Sequence, residues 1–176
     1  MSGADLALNQ SGQNPSVVER VRRNHGLEHS TLHVLSEHYP GRSLAGHSDV
    51  AGFWIIGEVS LEDVYQAVEE ALERLRNGER KLAIHPNCGT NYVVPGVLAG
   101  LAAGLTMLGG KQSWQNKLER LPLAATLATV VLILSQPLGY KIQELTTLSQ
   151  PGDLHVVEIT AHQRGKFTAY RVMTQG

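Results

Sequence analysis

The chain has 176 residues, a formal net charge of −1 and 18% charged residues. This composition excludes wholesale disorder, and with no Lys/Arg run longer than two it also excludes the electrostatic footprint of a nucleic-acid binder. Cys88 is the single cysteine, so there is no intrachain disulfide, and its thiol has value as a ligand or nucleophile in a reducing compartment.

Residues 1–15 are polar and rich in Ser, Gly, Asn and Gln. They read as a disordered tail without the basic-then-apolar order of a signal peptide, so export is not expected. Ser16-Val17-Val18-Glu19 has the form of a capping box and opens a helix that runs to Tyr39-Pro40-Gly41. A loop with His47 and Asp49 leads to Gly52-Phe53-Trp54-Ile55-Ile56-Gly57, short and β-branched enough to be a strand. Ser60-Leu61-Glu62-Asp63 caps a second helix whose apolar face is Leu61, Val64, Val68, Ala71, Leu72 and Leu75, and Asn77-Gly78 ends it. Lys81 to Ile84 suggests a short strand. The turn-rich segment His85-Pro86-Asn87-Cys88-Gly89-Thr90 follows.

Two stretches then lack charge, about residues 92–109 and 121–140. Each approaches the ~20 apolar residues that cross a hydrocarbon core, whereas soluble core helices rarely stay uncharged for so long. They predict an antiparallel transmembrane hairpin over 92–140, its helices brought close by Gly96, Gly100 and Gly104. A tightly packed soluble core is the alternative use of two such helices. Arg74, Arg76, Arg80, Lys81 and Lys141 outweigh Lys111, Lys117 and Arg120 of the connecting loop, which places both termini and the folded part in the cytoplasm. Residues 141–176 end in a β-hairpin, Leu154–Thr160 with Phe167–Met173. The predicted fold is thus an α+β membrane protein: a disordered tail (1–15), a helical α+β domain (16–91), a transmembrane hairpin (92–140) and a C-terminal hairpin segment (141–176).

Of eight histidines, His25, His29, His33 and His38 crowd onto the first helix. Residues four apart are one turn apart on one face, so His25 and His29 can point at one ion, with Glu28 on the adjoining flank. His-x-x-Glu-His is the inverted order of the helix motif in which two histidines hold zinc and a glutamate activates water. The plain alternative is a solvated amphipathic surface. His85 and Cys88 are both able to ligate zinc across a turn, and either supplies a third ligand. Their plain alternatives are a turn histidine and a small buried cysteine. His33 drifts round the helix and suits a supporting role. His47 and Asp49 are looser candidates, and His155 and His162 read as surface residues of the hairpin. A two-span hairpin returns the chain so that Gln143, Thr146 and Thr147 share a membrane face with His85 and Cys88.

The segments His25-Gly26-Leu27-Glu28-His29-Ser30-Thr31-Leu32, His85-Pro86-Asn87-Cys88-Gly89-Thr90 and Gln143-Glu144-Leu145-Thr146-Thr147 together resemble the motif set of the YqhQ-like bacterial membrane proteins, a family of predicted metal-dependent enzymes of unknown reaction. Leu27, Ser30 and Asn87 depart from its usual residues, and the shorter chain and strand-like tail mark a compact, divergent relative. The resemblance implies that His25, Glu28, His29, His85, Cys88, Gly89, Thr90, Gln143, Thr146 and Thr147 are motif positions. The resulting expectation is a membrane-anchored zinc-dependent hydrolase, a peptidase first. In it His25 and His29 are ligands, His85 or Cys88 is the third, and Glu28 is the base. His33, Thr90, Gln143, Thr146 and Thr147 bind substrate or support the ligands. Membrane lipid, and a membrane protein or peptide as substrate, are the partners expected. A noncatalytic metal-binding assembly factor and a metal-free structural subunit are the alternatives.

Overall fold

A computed structural model describes residues 15–108, 113–165 and 167–176. The expected tail lies outside them but for Pro15, as do residues 109–112 of the connection between the apolar stretches. The described residues hold five α-helices, a 3₁₀ turn and a four-stranded antiparallel sheet, an α+β fold. They fall into two compact units, one of residues 15–83 with Thr147–Gly176, the other Ile84–Thr146.

The first unit is built on the sheet. Its strands are β1 (Leu44–Asp49), β2 (Gly52–Gly57), β3 (His155–Arg164) and β4 (Phe167–Gln175), in the order β1-β2-β4-β3. Alternation along β2 and β4 sends Phe53, Ile55, Tyr170 and Val172 into a core shared with two helices, α1 (Val17–His38) and α2 (Leu61–Arg76). α1 contributes Leu27, Leu32, Val34 and Leu35. α2 contributes Val64, Ala67, Val68, Ala71, Leu72 and Leu75, whereas Leu61 of the expected stripe is exposed. The Ser60 capping box is complete, with Asp63 N donating to Ser60 Oγ (3.1 Å) and Ser60 N to the Asp63 carboxylate (2.8 Å). At Ser16 only the first half forms, Glu19 N to Ser16 Oγ at 3.2 Å, because the Glu19 carboxylate takes Arg23 instead (2.7 Å). Asn24 ties α1 to the sheet, donating to Asp49 O (2.9 Å) and accepting from the Thr174 hydroxyl (2.6 Å).

Two local expectations need correction. The loop carrying His47 and Asp49 is strand β1: Leu-Ala-Gly-His-Ser-Asp has little strand propensity of its own, and pairing with β2 over its whole length supplies the structure. The short strand expected over Lys81 to Ile84 is a 3₁₀ turn, Arg80–Ala83, which packs beneath α1 and buries Leu82 and Ala83.

The second unit consists of α3 (Thr90–Leu108), α4 (Trp114–Leu134) and α5 (Gln136–Thr146). Among the described residues α3 is the one single helix long and apolar enough to cross a membrane, and only 17% of that stretch is buried. The continuous second span expected over 121–140 is broken at Ser135, and α4 and α5 meet at a 49° bend, qualifying as a span only if taken together. Pro137 explains the break: it offers no N–H to the Ile133 carbonyl, and its ring crowds that turn. The two-helix transmembrane hairpin thus reduces to one candidate span beside a bent pair. The expected glycine seam also fails. A Cβ added at Gly96, Gly100 or Gly104 would meet nothing within 4 Å, and the small residues buried in α3 and α4 are Ala99 and Ala124.

Candidate functional site

The histidine helix is no solvated surface. Asn24, Gly26, Leu27 and the run from Glu28 to Leu32 are buried. Gly26 is the closest approach: a Cβ there would overlap the Leu148 carbonyl, and Leu148 N donates to Arg22 O at 2.8 Å. One turn apart, the His25 and His29 rings lie 4.2 Å between centroids, tilted by 59°, and each offers a ligand nitrogen within 4.8 Å of the other's. Two imidazole nitrogens on one tetrahedral zinc sit roughly 3.3 Å apart, given Zn–N lengths of about 2.0–2.1 Å. A small rotation of either ring spans the difference. His29 Nδ1 lies 2.7 Å from the Ala83 carbonyl. A carbonyl only accepts, so Nδ1 carries the proton and Nε2 the lone pair. A backbone carbonyl behind the ring is the usual way a ligating histidine is fixed in tautomer and orientation.

Glu28 is 4% exposed and faces β1. Its carboxylate accepts a short hydrogen bond from Ser48 Oγ, and it occupies the space where residue 46 would carry a Cβ, so Gly46 is the residue that admits it. Burial pushes the Glu28 carboxyl above its ordinary range, against the Ser48 hydrogen bond and the positive potential of His25 and His47. His33 is half-buried near Glu37, whose carboxyl is held low chiefly by its Arg74 hydrogen bond and less by His33 and His38. His47 is exposed on β1 opposite Trp54. Asp49 binds Arg171 (2.8 Å) and Ala51 N (2.8 Å). His162 lies beside Trp54, the rings tilted and their centroids 5.4 Å apart, on the exposed terminal hairpin.

In the second unit the segment 85–90 is a tight turn running into α3. Asn87 N donates to His85 Nδ1 at 3.2 Å, so in neutral His85 the lone pair is used within the turn and the proton sits on Nε2. Cys88 is buried. Cys88 N donates to His85 O (3.2 Å), and Cys88 O accepts from Asn91 N (2.9 Å). Thr90 begins α3. Gln143, on α5, is fully buried and donates to His85 O at 3.1 Å; the expected nearness of Gln143 to the His85 segment is therefore observed. Thr146 Oγ1 turns back to Gln143 O (3.1 Å), and Thr147, also buried, belongs to the first unit.

Residues 20–159, which span all three motif segments, match the family described as "Domain of unknown function (DUF6391)". The chain belongs to this family. It is 39% identical over 149 residues to an uncharacterised protein of the bacterium Picosynechococcus sp., covering 79% of this chain and 71% of that one. No solved structure matches the DUF6391 chain. Its kinship is therefore with a bacterial family of unknown function, a coarser statement than the YqhQ-like resemblance.

Motif spacing missed Ser48 and Gly46, which lay in a stretch read as loop, and Gly139, which meets Asn91 through a packing of α5 on α3. Asn91 itself directly follows the Gly-Thr of its turn.

Proposed function

We propose that this DUF6391 protein is a membrane-anchored, metal-dependent hydrolase in which His25, His29 and Cys88 hold a divalent transition metal, zinc first, and Glu28 acts as general base. The observation that carries the reading is the His25–His29 pair: two imidazoles one turn apart whose ligand nitrogens lie within 4.8 Å, with His29 buried and held through Nδ1 by the Ala83 carbonyl. Chain connectivity supports the third ligand. Ala83 is fixed against His29, and Cys88 follows five residues later, within reach of the pair along an extended chain of at most ~3.6 Å per residue. Nitrogen and thiolate donors suit zinc, and a three-ligand set leaves the fourth position open, as catalytic sites require.

A divalent ion bound there would supply Lewis acidity and a more acidic water. The chain supplies the rest. Glu28 is held in place by Ser48 and Gly46, and its raised affinity for a proton suits a group that accepts one. Peptide or lipid-like substrates at the bilayer fit an anchor formed by α3, whose exposed apolar residues include Val97, Leu101 and Leu105. A noncatalytic metal-binding role is the second reading. It is favoured by the engagement of Glu28 with β1, which would make the carboxylate a structural tie.

Metal analysis of the detergent-purified full chain tests the first reading. Wild type is expected to carry about one equivalent of transition metal, His29→Ala and Cys88→Ser to lose it, and Glu28→Gln to keep it. Wild type without metal, before and after reconstitution, would overturn it. An assay against peptide and ester substrates then separates the readings, since Glu28→Gln abolishes activity only if Glu28 is the base.

A further inference from the structure

The side chain of Asn91 is the hub of the turn that carries Cys88. Its amino group donates toward His85 O, Pro86 O and Gln143 Oε1, each at 3.1 Å. Gln143 Nε2 donates in turn to the same His85 carbonyl, also at 3.1 Å. The two carboxamides therefore clasp the start of the turn from two helices, α3 and α5. Two further features show that α5 is shaped for this contact. Gly139 and Gln143, one turn apart, are the buried residues of α5, and a Cβ on Gly139 would lie 2.8 Å from Asn91 Cα and 3.3 Å from Asn91 O. Pro95 completes the fit, because it has no N–H to give the Asn91 carbonyl four residues earlier, leaving that side of α3 open to a neighbouring helix.

The clasp carries a cost that packing alone would not select. Asn91 Oδ1 is buried without a hydrogen-bond partner, and an unsatisfied buried acceptor is destabilising. A carboxamide here is explained if the position of the turn matters more than its stability.

We infer that Asn91 and Gln143 are positioning residues that hold the 85–90 turn so that Cys88 is presented as a metal ligand. This rests on the metal reading above. Supporting partners of this kind are worth about tenfold to a hundredfold in metal affinity.

The test uses cobalt(II) titrations of the full chain in detergent, read by the thiolate-to-cobalt charge-transfer band. Wild type shows the band and Cys88→Ser lacks it. Asn91→Leu and Gln143→Ala are expected to weaken cobalt affinity about tenfold to a hundredfold and to diminish the band. The charge-transfer band is the readout that a merely structural role would not move: variants that still unfold cooperatively should nevertheless bind cobalt more weakly and with a diminished band. Should either variant fold poorly, the isosteric Asn91→Asp and Gln143→Glu remove the same donors and should show the same loss. Wild-type affinity and band in the folded variants would overturn the inference while leaving the metal reading intact. No cobalt uptake by wild type would overturn both.

Discussion

Gly46 lacks a side chain in the place where Glu28 lies, and that single fact ties a strand to the histidine helix. Gly46→Ala would drive a methyl group into the Glu28 carboxylate, displacing it from Ser48 and costing on the order of 1–3 kcal/mol, the usual penalty of overpacking. Chemical denaturation of wild type and Gly46→Ala measures this. A double variant with Glu28→Ala, which vacates the space, should recover most of the loss, and a loss of the same size in both backgrounds would rule out the contact. The His25–His29 pair was legible because four residues on a helix fix a face before any tertiary contact forms. The Glu28–Ser48 hydrogen bond was not, since it joins residues 20 apart in sequence through a strand with no strand-like composition. Likewise, nothing in His85-Pro86-Asn87-Cys88 reveals that the His85 lone pair is taken by the next-but-one N–H. Spacing made His85 and Cys88 equal candidates.

At the scale of elements, caps and periodicity carried the reading of α1, α2, β2 and the terminal hairpin, where local preference and tertiary fold agree. The failures lie where one residue or one neighbour overrides a pattern. Pro137 breaks an otherwise uncharged run, and β2 makes a strand of β1. The same β1 edge carries a pH-sensitive tie across the sheet. Asp49, at the end of β1, accepts from Arg171 on β4, and this hydrogen bond holds its carboxyl below the ordinary value of 3.8. Folding therefore favours the carboxylate: its stabilisation is present above the unfolded value and is lost as pH falls through the lower folded one. With the Asp49 side chain 42% exposed, solvent screens much of the effect. Asp49→Asn should lose stability relative to wild type at neutral pH, and the difference should begin to shrink as pH falls below the ordinary value of 3.8. Urea midpoints measured from pH 7 to pH 3 show this, and a constant difference over that range would exclude the electrostatic tie.

For the whole molecule, the decisive feature is that one unit is inserted into the other. The chain leaves the first unit after Ala83 and re-enters at Thr147, and both points are fastened to α1, Ala83 by His29 and Leu148 by Arg22. His29 and Arg22 are seven helical residues apart, about 10 Å along the axis. Replacing residues 84–146 with a flexible linker of roughly ten residues spans that gap. Because the core of Phe53, Ile55, Tyr170, Val172 and the two helices lies wholly within the first unit, the shortened chain is expected to fold, with cooperative unfolding and mixed α/β circular dichroism. It should also change compartment. If α3 is inserted in the bilayer, the full chain stays in the membrane pellet after carbonate extraction, whereas the shortened chain appears in the supernatant. Replacing Leu101 and Leu105 of the full chain with Asp separates insertion from attachment to a membrane partner, since each charge at the centre of a span costs about 2.5–3.5 kcal/mol and should release the protein. Extraction of the wild-type chain into the supernatant would make α3 a helix whose apolar face is covered by protein rather than lipid.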